Sequence, residues 1–145
     1  MCIRDSFSVG TQTGTGAHGL AFNADGTKMF VLSYGIDQVH EYALSTGFDV
    51  STASYTDGFS VSSQDSNPRG LAFNTDGTKM FVTGDDGNDI NEYTLSTGFD
   101  VSTASFVDSL DVSSYDTSVR GVTFNDDGTR MFYHGQQNDK IHDFS

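Results

Sequence analysis

Cysteine occurs once, at Cys2, so the 145-residue sequence holds no pair for an internal disulfide and no cysteine cluster for a metal. Basic residues are scarce too: seven Lys and Arg against 20 Asp and Glu leave a formal net charge of −13. Those seven form no stripe that would displace counterions along a phosphate backbone, which argues against a nucleic-acid partner. No apolar run approaches the ~20 residues of a membrane-crossing helix. A Gly-x-Ser-x-Gly elbow, a His-x-x-x-His pair and a phosphate loop are all missing, so no motif supplies a nucleophile or a zinc ligand set. Glutamate is confined to Glu41 and Glu92; the other 18 acidic residues are Asp, set among Gly, Asn, Ser and Thr between apolar runs, where most of them serve turn chemistry.

What the sequence does have is a repeat. Gly19–Asn23 and Gly70–Asn74 both read Gly-Leu-Ala-Phe-Asn, and Gly121–Asn125 reads Gly-Val-Thr-Phe-Asn. The copies are 51 residues apart, and each is followed by x-Asp-Gly-Thr-(Lys/Arg)-Met-Phe. A strand-rich unit of this length cannot bury its apolar residues alone, so successive units must pack on one another. Repeat sequence begins at Phe7–Val9, which matches Phe59–Val61; Met1–Ser6 match nothing and read as a translated sequencing adapter. Without them Cys2 disappears and the charge is unchanged, because Arg4 and Asp5 cancel. Phe144-Ser145 is the counterpart of Tyr93-Thr94, so the sequence is expected to be a fragment that breaks off within a strand.

Within one repeat, Arg69–Asn74 and Lys79–Thr83 flank Thr75-Asp76-Gly77-Thr78, an Asp-Gly loop suited to a hairpin. Both faces of that hairpin carry apolar groups, so its sheet is expected to be covered on both sides. Asp89–Leu95 and about Ser105–Ser113 give a third and a fourth strand, read as wetter than the first two. Four strands per unit, most buried at the start, predict an all-β partial β-propeller, an open arc of four-stranded antiparallel blades. The expected boundaries are 7–17 for the end of a preceding blade and linker, 18–68 and 69–119 for two blades, and 120–145 for an incomplete one. So short an arc leaves apolar blade faces bare and predicts marginal stability or self-association, with the remaining blades of a longer parent chain as its natural partners.

Gly-Leu-Ala-Phe-Asn-x-Asp-Gly-Thr-Lys-Met-Phe-Val resembles the strand-turn-strand signature of bacterial YVTN-type and lactonase-like β-propellers, in every repeat. The tryptophan-aspartate and kelch signatures are absent, and the sequence has no Trp. The resemblance implies the fold, while its members bind, scaffold or catalyse. The second half of the unit, Leu-Ser-Thr-Gly-Phe-Asp-Val-Ser-Thr-Ala-Ser, is similar to repeats of marine bacterial and phage proteins.

Candidate site residues come from asking where the repeats differ. Leu44–Ser54 and Leu95–Ser105 are identical at all 11 positions, and the Asp-Gly loop is nearly constant. The loops between strands two and three (33–38, 84–89 and 135–140) and those between blades vary. Strand direction puts the constant connections on one rim and the variable ones on the other, which is therefore the expected ligand face. On it, His18, Arg69 and Arg120 share one position before strand one and are expected near the axial mouth, as a ring for a carboxylate or sulfated sugar or as latches to neighbouring Asp. Asp85, Asp86, Asn88 and Asp89 form the densest oxygen cluster, faintly similar to a calcium-binding nonapeptide turn, with a solvated turn as the alternative. Asp37, Gln136 and Gln137 lie in the equivalent loops. Tyr34, Tyr115 and Tyr133 are candidate sugar platforms. His40 and His142 share another position and read as strand surface.

No catalytic residue and no cofactor is expected, calcium being the one ion considered. The functional expectation is a non-catalytic extracellular, cell-surface or virion-surface binding or adhesion module for carbohydrate or protein. The alternatives are a lactonase-like hydrolase whose catalytic residues lie in other blades, and a structural repeat of a phage fibre.

Overall fold

The computed structural model describes residues 5–14 and 16–145; Met1–Arg4, most of the expected adapter, and Thr15 lie outside the described residues. A helical turn α1 (Gly10–Thr13) precedes eleven strands. β1 (Ala17–Phe22), β2 (Lys28–Ser33), β3 (Gln38–Leu44) and β4 (Ala53–Ser60) form the first sheet, and β5 (Pro68–Phe73), β6 (Lys79–Gly84), β7 (Asp89–Leu95) and β8 (Ala104–Asp111) the second. β9 (Val119–Phe124), β10 (Met131–Gly135) and β11 (Ile141–Phe144) form a three-stranded third. All pairings are antiparallel between sequence neighbours. The chain is a partial β-propeller of two complete blades and three strands of another.

The first strands of successive blades lie side by side, β1 next to β5 and β5 next to β9, as strands around an axis must. Glycine makes this possible: a Cβ on Gly70 would stand 2.8 Å from the Arg120 carbonyl of the next blade. The Asp-Gly loop is locked by its own side chains, with Asp76 accepting from the Thr78 amide and hydroxyl and Gly77 supplying φ +71°.

Phe7 meets Tyr42 edge-on at 5.6 Å, as Phe59 meets Tyr93 at 5.5 Å one blade later. One expectation changes, the burial order. The second and third strands are the most enclosed, and β3 buries Val39, His40, Glu41 and Tyr42 in a row. A blade's middle strands are covered on both faces by neighbours, whereas its first strand opens on the axis and its fourth on solvent.

The constant rim explains its own constancy. Between β7 and β8 the chain makes a turn, Ser96–Thr103, that reaches back onto the first blade. Phe99 packs on Phe30 and Phe73 at ring separations of 6.0 and 5.6 Å, and Val101 is fully buried in the same cluster. Lys28 Nζ donates to the Phe99 carbonyl at 2.6 Å, and the Val101 amide donates to Glu41 Oε2 at 3.0 Å. The Lys28–Glu41 ion pair thereby holds backbone of the following blade. This turn fastens one blade to the one before it, and its sequence is constrained at both ends.

Candidate functional site

The opposite rim is built by backbone bonds between the two variable connections. The Asp85 amide donates to the Asn67 carbonyl, Gln136 to Ser118, Val61 to Asp37 and Val112 to Asn88. Near the axis this rim brings six of the sequence-predicted residues into one chain of contacts. Asp85 Oδ2 accepts from Arg69 Nε and from Arg120 Nη1, each at 3.0 Å, while Oδ1 accepts from the Ser118 hydroxyl at 3.0 Å. Arg120 Nη2 continues to Gln136. Arg69 lies over the Tyr34 ring, 4.4 Å from its centroid, with Nη1 3.4 Å from His18 Nε2. His18 and Tyr34 belong to the first blade, Arg69 and Asp85 to the second, Arg120 and Gln136 to the third, so the cluster crosses both blade junctions.

Asp85 thus serves as a latch: a residue of blade two holds an arginine of blade three. Two guanidinium groups nevertheless share a single carboxylate as hydrogen-bond acceptor. Both arginines are part-exposed, so a further anionic group has access to them.

The remaining candidates stand apart. Asp86 accepts from the Ser66 hydroxyl and Asn67 Nδ2, which hold its carboxyl below the ordinary range. Asp89 accepts from Asn91 Nδ2, and burial pushes its carboxyl up. Asn88 and Asp37 occupy equivalent left-handed positions at φ 51° and 52°, each with a buried, unpartnered Oδ1. Burial, then the charge of Asp86, raises the Asp37 carboxyl. Of the four calcium candidates, Asp85 is engaged by the arginines, Asp86 by Ser66 and Asn67, and Asp89 by Asn91. Among the described residues no group of three or more His, Cys, Asp or Glu is placed to hold a metal ion. Gln137 contributes its amide to Asp116 rather than its side chain to the rim cluster. Of the tyrosines, Tyr34 and Tyr115 are exposed but Tyr133 is buried and stacks on His142 at 4.8 Å, which removes it as a platform. His40, read as strand surface, is buried with neither ring nitrogen bonded, and burial lowers its pKa.

Sequence reasoning passed over Asp65 and Asp116. Both close a helical turn after the fourth strand and both are almost wholly buried beneath the rim. Each lies against a glycine of the same blade-to-blade contact: a Cβ on Gly84 or Gly135 would fall about 2 Å from the carboxylate. In the first blade the pair is Thr13 and Ser33, where a smaller partner leaves room for a side chain and Ser33 Oγ donates to the Thr13 carbonyl at 2.8 Å. The two aspartates shift in opposite directions. Burial raises both, but the Asn138, Ser118 and Gln137 amides outweigh it at Asp116, which is held below the usual range. Asp65 has only the Asn67 amide, its Oδ2 is unpartnered, and burial with the charges of Asp86, Asp89 and Asp85 pushes it up to about 6. The recurring Val-Ser-Ser-x-Asp of 61–65 and 112–116 was the available signal.

Among the described residues, no helix is long and apolar enough to cross a membrane. No family model matches the chain, and no curated protein does. Solved structures do. The periplasmic gluconolactonase of Pseudomonas aeruginosa superposes with a TM-score of 0.67 at 20% identity, over 91% of this chain and 36% of that one. A 6-phosphogluconolactonase candidate from Bacteroides uniformis gives 0.65 at 14%, over 89% and 36%. A β-propeller domain from Myceliophteria thermophila gives 0.62 at 11%, over 86% and 38%. The chain therefore spans little more than a third of each, and the likeness is one of fold.

Proposed function

We propose that this chain is part of a non-catalytic binding β-propeller whose axial mouth, on the variable rim, takes a sugar bearing a carboxylate or sulfate. The observation that carries this reading is Asp85 held between Arg69 and Arg120. One carboxylate satisfies neither guanidinium fully, and the anionic oxygens of a carboxylate or sulfate are the natural partner for the free N–H edges. Tyr34, backed by Arg69, offers an aromatic face beside that charge, suited to the apolar side of a sugar ring. The rim varies from blade to blade as a ligand face does, and display outside the cell or on a virion accords with such a role.

Isothermal titration with glucuronate and a sulfated oligosaccharide, against glucose as the neutral control, tests the reading. Saturable binding of the anionic sugars, weakened about tenfold by Arg120→Ala and by raised salt, is expected. Equal binding of glucose, or binding indifferent to Arg120, would refute it.

A second reading, a lactonase-like hydrolase, is supported by the names of two of the similar structures. It places the reacting groups in blades beyond this chain, and hydrolysis of gluconolactone by a longer chain carrying this segment would favour it.

A further inference from the structure

A cleft of about 820 Å³ opens between the second and third blades on the constant rim, away from the arginine cluster. Its walls reproduce, residue for residue, the place that the Phe99 turn fills between the first and second blades. There, Phe30 and Phe73 lie 4.5 Å apart and receive the Phe99 ring; here, Phe81 and Phe124 lie 4.4 Å apart and line the cleft. There, Lys28 and Glu41 hold the Phe99 carbonyl and the Val101 amide; here, Lys79 and Glu92 form the same ion pair at 2.8 Å and face the opening. Glu41 is 3% exposed under its turn, whereas Glu92 is 28% exposed.

The glycine of the Asp-Gly loop gives an independent sign. A Cβ on Gly26 or Gly77 would strike the ring of Phe48 or Phe99 of its own blade at 2.4 or 2.3 Å, but Gly128 has nothing within 4 Å on that side. Gly128 also lines the cleft. Aromatic slot, ion pair and bare glycine face are all in place, arranged for one shape of occupant.

We propose that this cleft is a binding seat for a third Ser-Thr-Gly-Phe-Asp-Val turn, supplied by polypeptide continuing from β11. The phenylalanine would enter between Phe81 and Phe124 and cover Gly128, its carbonyl would accept from Lys79 Nζ, and the valine amide would donate to Glu92. The source is set by connectivity. Phe144 stands in β11 where Tyr93 stands in β7, and Phe99 follows Tyr93 by six residues, so a short continuation reaches the slot. The identical turn of a second copy, with Phe48 61% exposed, is tethered to its own third strand, whose place beside this cleft β11 already occupies.

The test adds a synthetic peptide with the sequence of residues 95–105 to the full chain and follows amide exchange of Asn125–Thr129. Saturable slowing, about tenfold or more, is expected; it is lost with Ala in place of the peptide's Phe and in the Glu92→Gln chain, whose substitution is exposed enough to leave the fold intact. Appending a copy of residues 95–113 after Ser145 is expected to give the same protection without added peptide. Protection by neither, or equal protection by the Phe-to-Ala peptide, overturns the proposal. So does a finding that the unextended chain already protects these amides and loses that protection on Phe48→Ser, which would make a second copy the occupant.

Discussion

Arg120 of the third blade donates to Asp85 of the second at 3.0 Å, and this bond ties the variable rim together across a blade junction. Asp85→Asn removes the charge that Arg69 and Arg120 share. Two effects of opposite sign are expected: thermal stability falls, by about 1 kcal/mol for a part-exposed pair, while affinity for anionic sugars rises and becomes steeper in salt. Denaturant unfolding and titration at two ionic strengths separate them.

Phe48 and Phe99 are the same residue of the same 11-residue turn, yet among the described residues only Phe99 has a preceding blade to rest on. Phe99→Ala is expected to cost about 2 kcal/mol, the lower end for removing a buried ring, because the side chain is half-buried. Phe48→Ala should stay within about 0.5 kcal/mol. Equal costs in chemical denaturation would contradict the fastening role of the turn.

Asp65 gives the folded chain a pH response. Its carboxyl is raised from 3.8 to about 6 in the fold, so between those values the native state holds a proton that the unfolded chain has released. The contribution is complete below pH 4 and is lost as pH rises through 6, amounting to at most about 3 kcal/mol. Asp65→Asn should flatten that part of the stability profile and leave the chain more stable than its parent at pH 8. Asp116→Asn, at the position held below the usual range by three amides, should destabilise at pH 8 instead.

Gly84 and Asp65 are coupled by space. Gly84→Ala alone places a methyl about 2 Å from the carboxylate and is expected to be severely destabilising. Combined with Asp65→Thr, which imitates the Thr13–Ser33 pair of the first blade, much of the loss should return. A double-mutant cycle is expected to show a coupling of about 1–3 kcal/mol.

The blades were legible because their signals are local and repeated. A 51-residue period, an Asp-Gly loop and two-sided apolar strands mark strand positions to within a residue or two, as Lys79–Gly84 and Asp89–Leu95 show. The rim assignment followed from strand direction alone. Burial along a blade was misjudged because composition stands in poorly for coverage: β3 looks polar, yet His40 and Glu41 are enclosed by what packs on them, not by what they are. The gathering of His18, Tyr34, Arg69, Asp85, Arg120 and Gln136 was foreseen in part, since repeat position places the basic residues together. That Asp85 would turn to two arginines and not to Asp86 and Asp89 depends on contacts across blades, which no single repeat encodes. Asp65 escaped notice because its meaning lies in the missing side chain of Gly84.

The Lys28–Glu41 pair grips backbone of the blade that follows it in the chain. Synthesis runs in the same direction, so during translation each newly made leaf leaves the ribosome with its grip empty until the next 51 residues emerge. Assembly is thereby given an order, and a pause between repeats would leave Phe30 and the Lys28–Glu41 pair uncovered.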